Sequence, residues 1–247
     1  MRKAPAAADS CRRAADWLCG AQHPDGGWGF SAGDPESGWQ TAWALLALRS
    51  LGVSTQVSVR AIHWLLNVKT LQLTEDTIQK GKKVLTIDLS RRGWPWLPGE
   101  AGWVEPTALA LLALESAPGV EAENRRKEAL GFIEDRRCPQ GGWNVGSPVM
   151  FASGLPGRAH STAWVILALA KTSPGMIRPG DKEFLRAEMR RERGVLGFAW
   201  GLLALRAAGE EDREAEDRLR RLQGKNGGWE NSPFKTAAAQ MALGGQL

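Results

Sequence analysis

The segment GWVEPTALALLAL, residues 102–114, places a carboxylate, Glu105, directly before a proline and the start of an apolar helix. Two kinds of chemistry fit it. A carboxylic acid at that point could deliver a proton, whereas a carboxylate could face the partial positive charge of the helix end and act as a cap. Pro106 stands where no backbone donor is needed, so the cap reading describes an ordinary helix start. His160, in RAHSTAW, has the same relation to another apolar helix, and Asp88 in LTIDLS and Glu100 in LPGEAG are further carboxylates that also read as loop residues. Glu105, His160 and Asp88 form the candidate catalytic set.

Trp43, Trp164 and Trp200 occupy the same place in three related phrases, TAWALLAL, TAWVILAL and FAWGLLAL. With Trp103 they are the candidates for binding a ligand, because an indole face attracts a cation by roughly 0.5–2 kcal/mol and offers a large apolar surface. Packing between helices is the alternative reading. The chain has twelve Trp and six Phe but no Tyr, so its aromatic surface carries no phenol hydroxyl. Phosphate-binding loops and Ser-His-Asp motifs are absent from the sequence. Three cysteines without Cys-x-x-Cys spacing argue against a disulfide framework and against four-ligand zinc, and neither a metal nor a cofactor is expected.

These residues must be held by a sizeable body of helix. A chain of 247 residues, 43% hydrophobic and 24% charged, is long enough for one globular domain spanning 1–247. No apolar run reaches the roughly 20 residues needed to cross a bilayer, and charged residues interrupt the N-terminal stretch before a signal-peptide core could form. The expected location is therefore cytoplasmic. A net charge of +5 is spread over short clusters that read as solvated helix faces, so nucleic acid is not an expected partner, while peripheral membrane contact is left open.

One phrase recurs five times, as TAWALLAL at 41, TALALLAL at 107, TAWVILAL at 162, FAWGLLAL at 198 and TAAAQMAL at 236. Each predicts an apolar helix, the last with about 8 residues, stopped by Gly52, Gly119, Gly175, Gly209 and Gly244 in turn. A second series precedes them, marked by Trp17-Leu18, Trp64-Leu65, Phe132-Ile133, Phe184-Leu185 and Arg218-Leu219, whose charged neighbours predict amphipathic helices with one wet face. Glycine-rich turns lie between, in QHPDGGWGF, CPQGGWNVG and QGKNGGWEN. A degenerate turn, GWPW, puts Trp94 13 residues before Thr107, as Trp28 stands before Thr41. The stretch 73–84 could supply an extra helix.

AADWLCGAQHPDGGWGF resembles the QW repeat of squalene and oxidosqualene cyclases, an aromatic-Leu pair followed by Gln and then Gly-x-Trp. ALGFIEDRRCPQGGWN is similar with Arg137 in the Gln position, and DRLRRLQGKNGGW with Gln223 but no aromatic. On these repeats the chain resembles the prenyltransferase and squalene cyclase superfamily. The resemblance implies an all-α fold, an α/α toroid of five to six pairs of inner and outer helices. It also implies that the Gln side chain meets helix-end backbone with the Trp stacked beside it.

In class II terpene cyclases of that superfamily the middle Asp of an Asp-x-Asp-Asp-Thr-Ala motif protonates an alkene or epoxide. Trp103-Val104-Glu105-Pro106-Thr107-Ala108 fits the frame with Glu105 at the middle Asp, but Trp103 and Pro106 replace the flanking acids. His160 resembles in placement the zinc-binding His of protein prenyltransferase β-subunits, although Asp135 and Cys138 do not reproduce its partners. Cys19-Gly20-Ala21-Gln22 comes near the motif of thioester domains, yet Gln22 belongs to the repeat turn. The resemblance implies an apolar isoprenoid or lipid ligand, and a partner subunit is left open.

Overall fold

The computed structural model describes residues 5–53, 56–81, 85–150 and 153–244. Its order is α1 (Pro5–Gly20), α2 (Gln40–Ser50), α3 (Gln56–Asn67), α4 (Glu75–Gly81), α5 (Val104–Ala113), α6 (Val120–Asp135), α7 (Ala159–Thr172), α8 (Pro179–Arg191), α9 (Val195–Ala207), α10 (Arg213–Arg221) and α11 (Pro233–Gly244). The only strands among these residues are β1 (Val149–Met150) and β2 (Ser153–Gly154), an antiparallel pair before α7. The fold is all-α. Each of the five repeated phrases is one of the helices α2, α5, α7, α9 and α11, and each amphipathic segment is one of α1, α3, α6, α8 and α10.

Burial separates the two series. In α5 every residue except Glu105 is buried, and α7 and α9 are buried over nearly their full length, whereas α10 buries only Ala215 and Leu219. Helices α5, α7 and α9 are apolar on most faces because packing covers them, whereas α11 buries only Ala238, Ala239 and Ala242. The chain packs as two compact units, Met1–Gln72 with Arg92–Leu130, and Leu73–Arg91 with Gly131–Leu247.

Within each unit one junction is repeated. The indole N–H of the turn tryptophan donates to a carbonyl near the end of the preceding amphipathic helix: Trp28 to Leu18 (2.9 Å) and Trp94 to Leu65 (2.8 Å) in the first unit, Trp143 to Ile133 (2.7 Å) and Trp229 to Leu219 (2.8 Å) in the second. Carbonyls at a helix end are short of intrahelical donors, and the indole supplies one here, alone for Leu18 and Leu65 and beside the Arg136 and Leu222 amides for Ile133 and Leu219. The same tryptophans donate their backbone N–H to the threonine that opens the next apolar helix, Thr41, Thr107, Thr162 or Thr236. Gln22 donates to Gly26 O of its own turn and to Val57 O in the first turn of α3 (2.9 Å), and Gln223 donates to Gly227 O of its turn. Gln22 thus meets helix-end backbone as expected, at the start of α3, while the carbonyl near the end of the preceding amphipathic helix is met by the tryptophan.

The junction before α9 differs. Phe198 replaces the threonine, no tryptophan precedes it, and the Arg218 guanidinium lies 4.6 Å over the Phe198 ring while donating to the carbonyls of Met189, Arg190 and Glu192 at the end of α8. Two other arginines stack on turn tryptophans, Arg125 on Trp94 (3.7 Å) and Arg137 on Trp143 (4.3 Å).

The glycine stops hold in part. Gly52 (φ 74°) and Gly209 (φ 78°) close α2 and α9, with Val53 N–H bonding Leu48 O and Glu210 N–H bonding Leu205 O. Helix α5 ends at Ala113, well before Gly119, and α7 ends at Thr172, with Gly175 inside a 3-10 turn. Gly244 is the last residue of α11, which has 12 residues because Pro233 starts it three positions before the repeated phrase. Glu75–Gly81 is the extra helix, and residues 82–84 of that stretch lie outside the described residues.

Candidate functional site

Within each unit the apolar helices run parallel. Near their starts in the second unit, Trp164 of α7 and Trp200 of α9 lie 4.7 Å apart, and Trp200 lies 6.3 Å from Phe234 of α11. At the opposite ends Arg206 of α9 donates to Ala242 and Leu243 of α11. In the first unit Arg49, in the last turn of α2, likewise donates to Ala113 O at the end of α5 (2.8 Å). Parallel packing gathers helix N-termini, whose partial positive charges add where the candidate residues lie.

In the second unit these residues form a row. His160, second residue of α7, accepts a hydrogen bond at Nε2 from Trp164 Nε1 (3.2 Å), and their rings meet edge on. Trp164 and Trp200 are each 2% exposed, whereas Phe234 is 55% exposed. Phe234 was not among the residues selected from the sequence. Its signal was Pro233 at the first position of a helix, which the repeated phrase, beginning at Thr236, concealed.

Asp88 belongs to the same unit and is held in a turn. Its carboxylate accepts from Ser90 N (3.0 Å) and Ser90 Oγ (2.6 Å) and pairs with Arg91, while its own amide donates to both oxygens of Asp135. Asp135 in turn pairs with Arg136, whose burial lowers its guanidinium to about 10. Asp88 organises this loop.

In the first unit Glu105 lies half-buried in the first turn of α5, and Trp103, also half-buried, precedes that helix and pairs with Trp94 through Trp103 N–H to Trp94 O (2.9 Å). Trp43 is half-buried in α2. Around Trp39, Trp64, Trp94 and Pro106 only about 10 Å³ is open, so this part of the unit is packed rather than hollow.

Sequence motifs did not reveal a cluster at the first turn. Asp25 accepts from Gly27 N (3.0 Å), Ser37 Oγ (2.7 Å) and Trp64 Nε1 (2.9 Å). His23 Nδ1 lies 2.9 Å from Ser37 Oγ, and since the serine proton is given to Asp25, the imidazole is the donor. Hydrolase triads run the other way, with serine giving its proton to histidine. Burial would raise the Asp25 carboxyl, but the Gly27, Ser37 and Trp64 hydrogen bonds and the His23 charge hold it below its ordinary value. Ser37 is 3% exposed, so the cluster locks the turn.

A wider depression of about 530 Å³ in the second unit is lined by Arg206, Glu210, Asp212 and Glu216 among others. It is polar, and Glu210 is held down to about 2 by hydrogen bonds from Lys182 and Arg186. Among the described residues no three His, Cys, Asp or Glu side chains gather as metal ligands, and no helix is long and apolar enough to cross a membrane.

No protein-family model matches the chain. Over 67 residues it is 40% identical to a squalene–hopene cyclase of Bradyrhizobium diazoefficiens, a match covering 22% of this chain and 10% of the cyclase. Type II terpene cyclase MstE from Scytonema superposes with a TM-score of 0.58 at 17% identity, over 92% of this chain and 66% of that one. A protein from Actinoplanes gives 0.57 at 21% identity, over 92% and 69%. The chain shares its fold with these two solved structures. A structure described as a novel alpha-amylase from Clostridium perfringens also superposes, with a TM-score of 0.62 at 12% identity over 93% of this chain and 79% of that one, so the fold alone does not select a substrate.

Proposed function

We propose that the chain handles an isoprenoid ligand in the manner of a terpene cyclase, with Glu105 as the acid that starts cyclisation or isomerisation. The observation that carries this reading is the row His160–Trp164–Trp200–Phe234, which crosses the starts of three parallel helices and ends on an exposed ring. Trp43 and Trp103 are the aromatic candidates of the first unit, which also holds Glu105. Protonated Glu105 would give its proton to an alkene carbon, and the positive charge would move to the more substituted carbon, where an indole of the same unit, Trp43 or Trp103, would stabilise it. Loss of a proton from the cyclised cation to water returns a neutral product, and the Glu105 carboxylate regains its proton from solvent. No cofactor enters this scheme. Incubation with squalene, oxidosqualene and polyprenyl diphosphates, followed by mass spectrometry of the products, tests it.

A second reading is supported by the surroundings of Glu105 and Asp88. Trp103 and Pro106 cannot polarise an acid, and Asp88 is committed to a turn, which suits a non-catalytic protein that binds a lipid or a partner subunit. Exposed Trp17 and Phe30 would then serve contact with a partner or a membrane surface. Native mass spectrometry of protein from cell extract tests this reading; a co-purifying lipid or subunit supports it, and a bare monomer opposes it.

A further inference from the structure

His160 and Trp164 stand one helical turn apart on α7, and the indole Nε1 points at the imidazole Nε2 at 3.2 Å. An indole N–H only donates, so Nε2 must offer a lone pair. A neutral imidazole with a lone pair on Nε2 carries its proton on Nδ1. Trp164 cannot turn away freely, because its ring is 2% exposed and packed 4.7 Å from Trp200.

We infer that Trp164 is a positioning residue, which holds His160 as its Nδ1–H tautomer and makes it a hydrogen-bond donor to an acceptor oxygen on a bound ligand. Abstracting a proton or binding a metal through Nε2 would first break the bond to Trp164. His160 therefore differs from a general base, whose free lone pair faces the reacting group. The donor role rests on the isoprenoid reading above, whereas the tautomer is a property of the protein alone.

Nitrogen-15 NMR reads the tautomer directly. The protein has three histidines, His23, His63 and His160, and an H160Q variant assigns the resonances of the third. In its neutral form His160 is expected to show a protonated Nδ1 and a bare Nε2, and W164F, which keeps a ring but removes the donor, is expected to lose that pattern. A wild-type spectrum with the proton on Nε2 overturns the inference even if W164F does not fold, and an unchanged pattern in folded W164F overturns the part given to Trp164. Farnesol, which carries an oxygen, is expected to shift the Nδ1 resonance, and farnesene is not. Equal shifts, or none while tryptophan fluorescence reports farnesol bound, overturn the donor role. Failure of both probes to bind counts instead against the isoprenoid reading and leaves the tautomer result standing.

Discussion

The Trp94 amide donates to Thr107 Oγ1 at 2.8 Å, and Thr107 passes its own proton to Trp103 O at 2.6 Å. Three other turns end on the same contact although their loops differ: the tryptophan precedes the threonine by 13 residues at Trp28, 19 at Trp143 and 7 at Trp229. The long loop before α7 contains the β1–β2 pair, and the short one before α11 contains Glu230 and Asn231 at positive φ. Uneven spacing in the sequence thus converges on one junction.

Replacing Thr107 by Val keeps the shape but leaves the buried Trp94 amide without an acceptor. T107V is expected to lose about 1–3 kcal/mol of unfolding free energy, the cost of a buried unsatisfied donor. T107S keeps the hydroxyl and should recover most of that loss. Urea denaturation of the two variants checks the difference.

The same contacts mark how far the sequence could be read. The phrase helices and their amphipathic partners were legible because apolar residues recur at helical spacing, and the threonine and tryptophan were legible as repeated letters. Which atom of each met which was not. The tryptophan meets the end of the preceding helix, and Gln22 meets both its own turn and the start of α3, 35 residues on. Gly119 and Gly175 are the first glycines after their apolar phrases, but α5 ends at Ala113, and α7 at Thr172, two residues before Pro174. Of the candidate site, His160, Trp164 and Trp200 were found by register alone. Phe234 was hidden by an early helix start, and the turn role of Asp88 came from Asp135, 47 residues away.

Arg218 stands in for the missing tryptophan at the end of α8. R218M removes the donors to Met189, Arg190 and Glu192 and the charge over Phe198, and should cost about 1–3 kcal/mol. R218K should recover less than half, since an ammonium cannot spread its donors as a planar guanidinium does. Thermal unfolding of both variants distinguishes shape from charge.

Asp25 gives the first unit an acid-sensitive latch. Its carboxyl is held below its ordinary value, so its contribution is present above the unfolded carboxylate range, near pH 4, and is lost as pH falls through the lower value of the folded state. D25N should therefore destabilise at pH 7 and unfold with a weaker dependence on pH below about 4. Parallel acid titrations followed by circular dichroism measure this, and equal slopes in the two proteins would oppose it.

The aromatic row makes a prediction for binding. Farnesol is expected to quench tryptophan fluorescence, and W200F, which shrinks the central ring, should weaken its affinity by about 2–10-fold, within the range of one aromatic contact. W17F lies outside the row and should leave affinity unchanged. Titration of the three proteins in the same buffer decides.

The acid role of Glu105 is tested most directly by comparing products of the native protein with those of E105Q, an isosteric change that removes the transferable proton. With squalene, oxidosqualene and polyprenyl diphosphates offered in turn, the native protein should yield a cyclised or isomerised product from at least one, and E105Q should yield that product at least 100-fold more slowly, on the order expected for loss of a general acid. Turnover by E105Q at the native rate, or no product from any substrate with the native protein, would contradict the account.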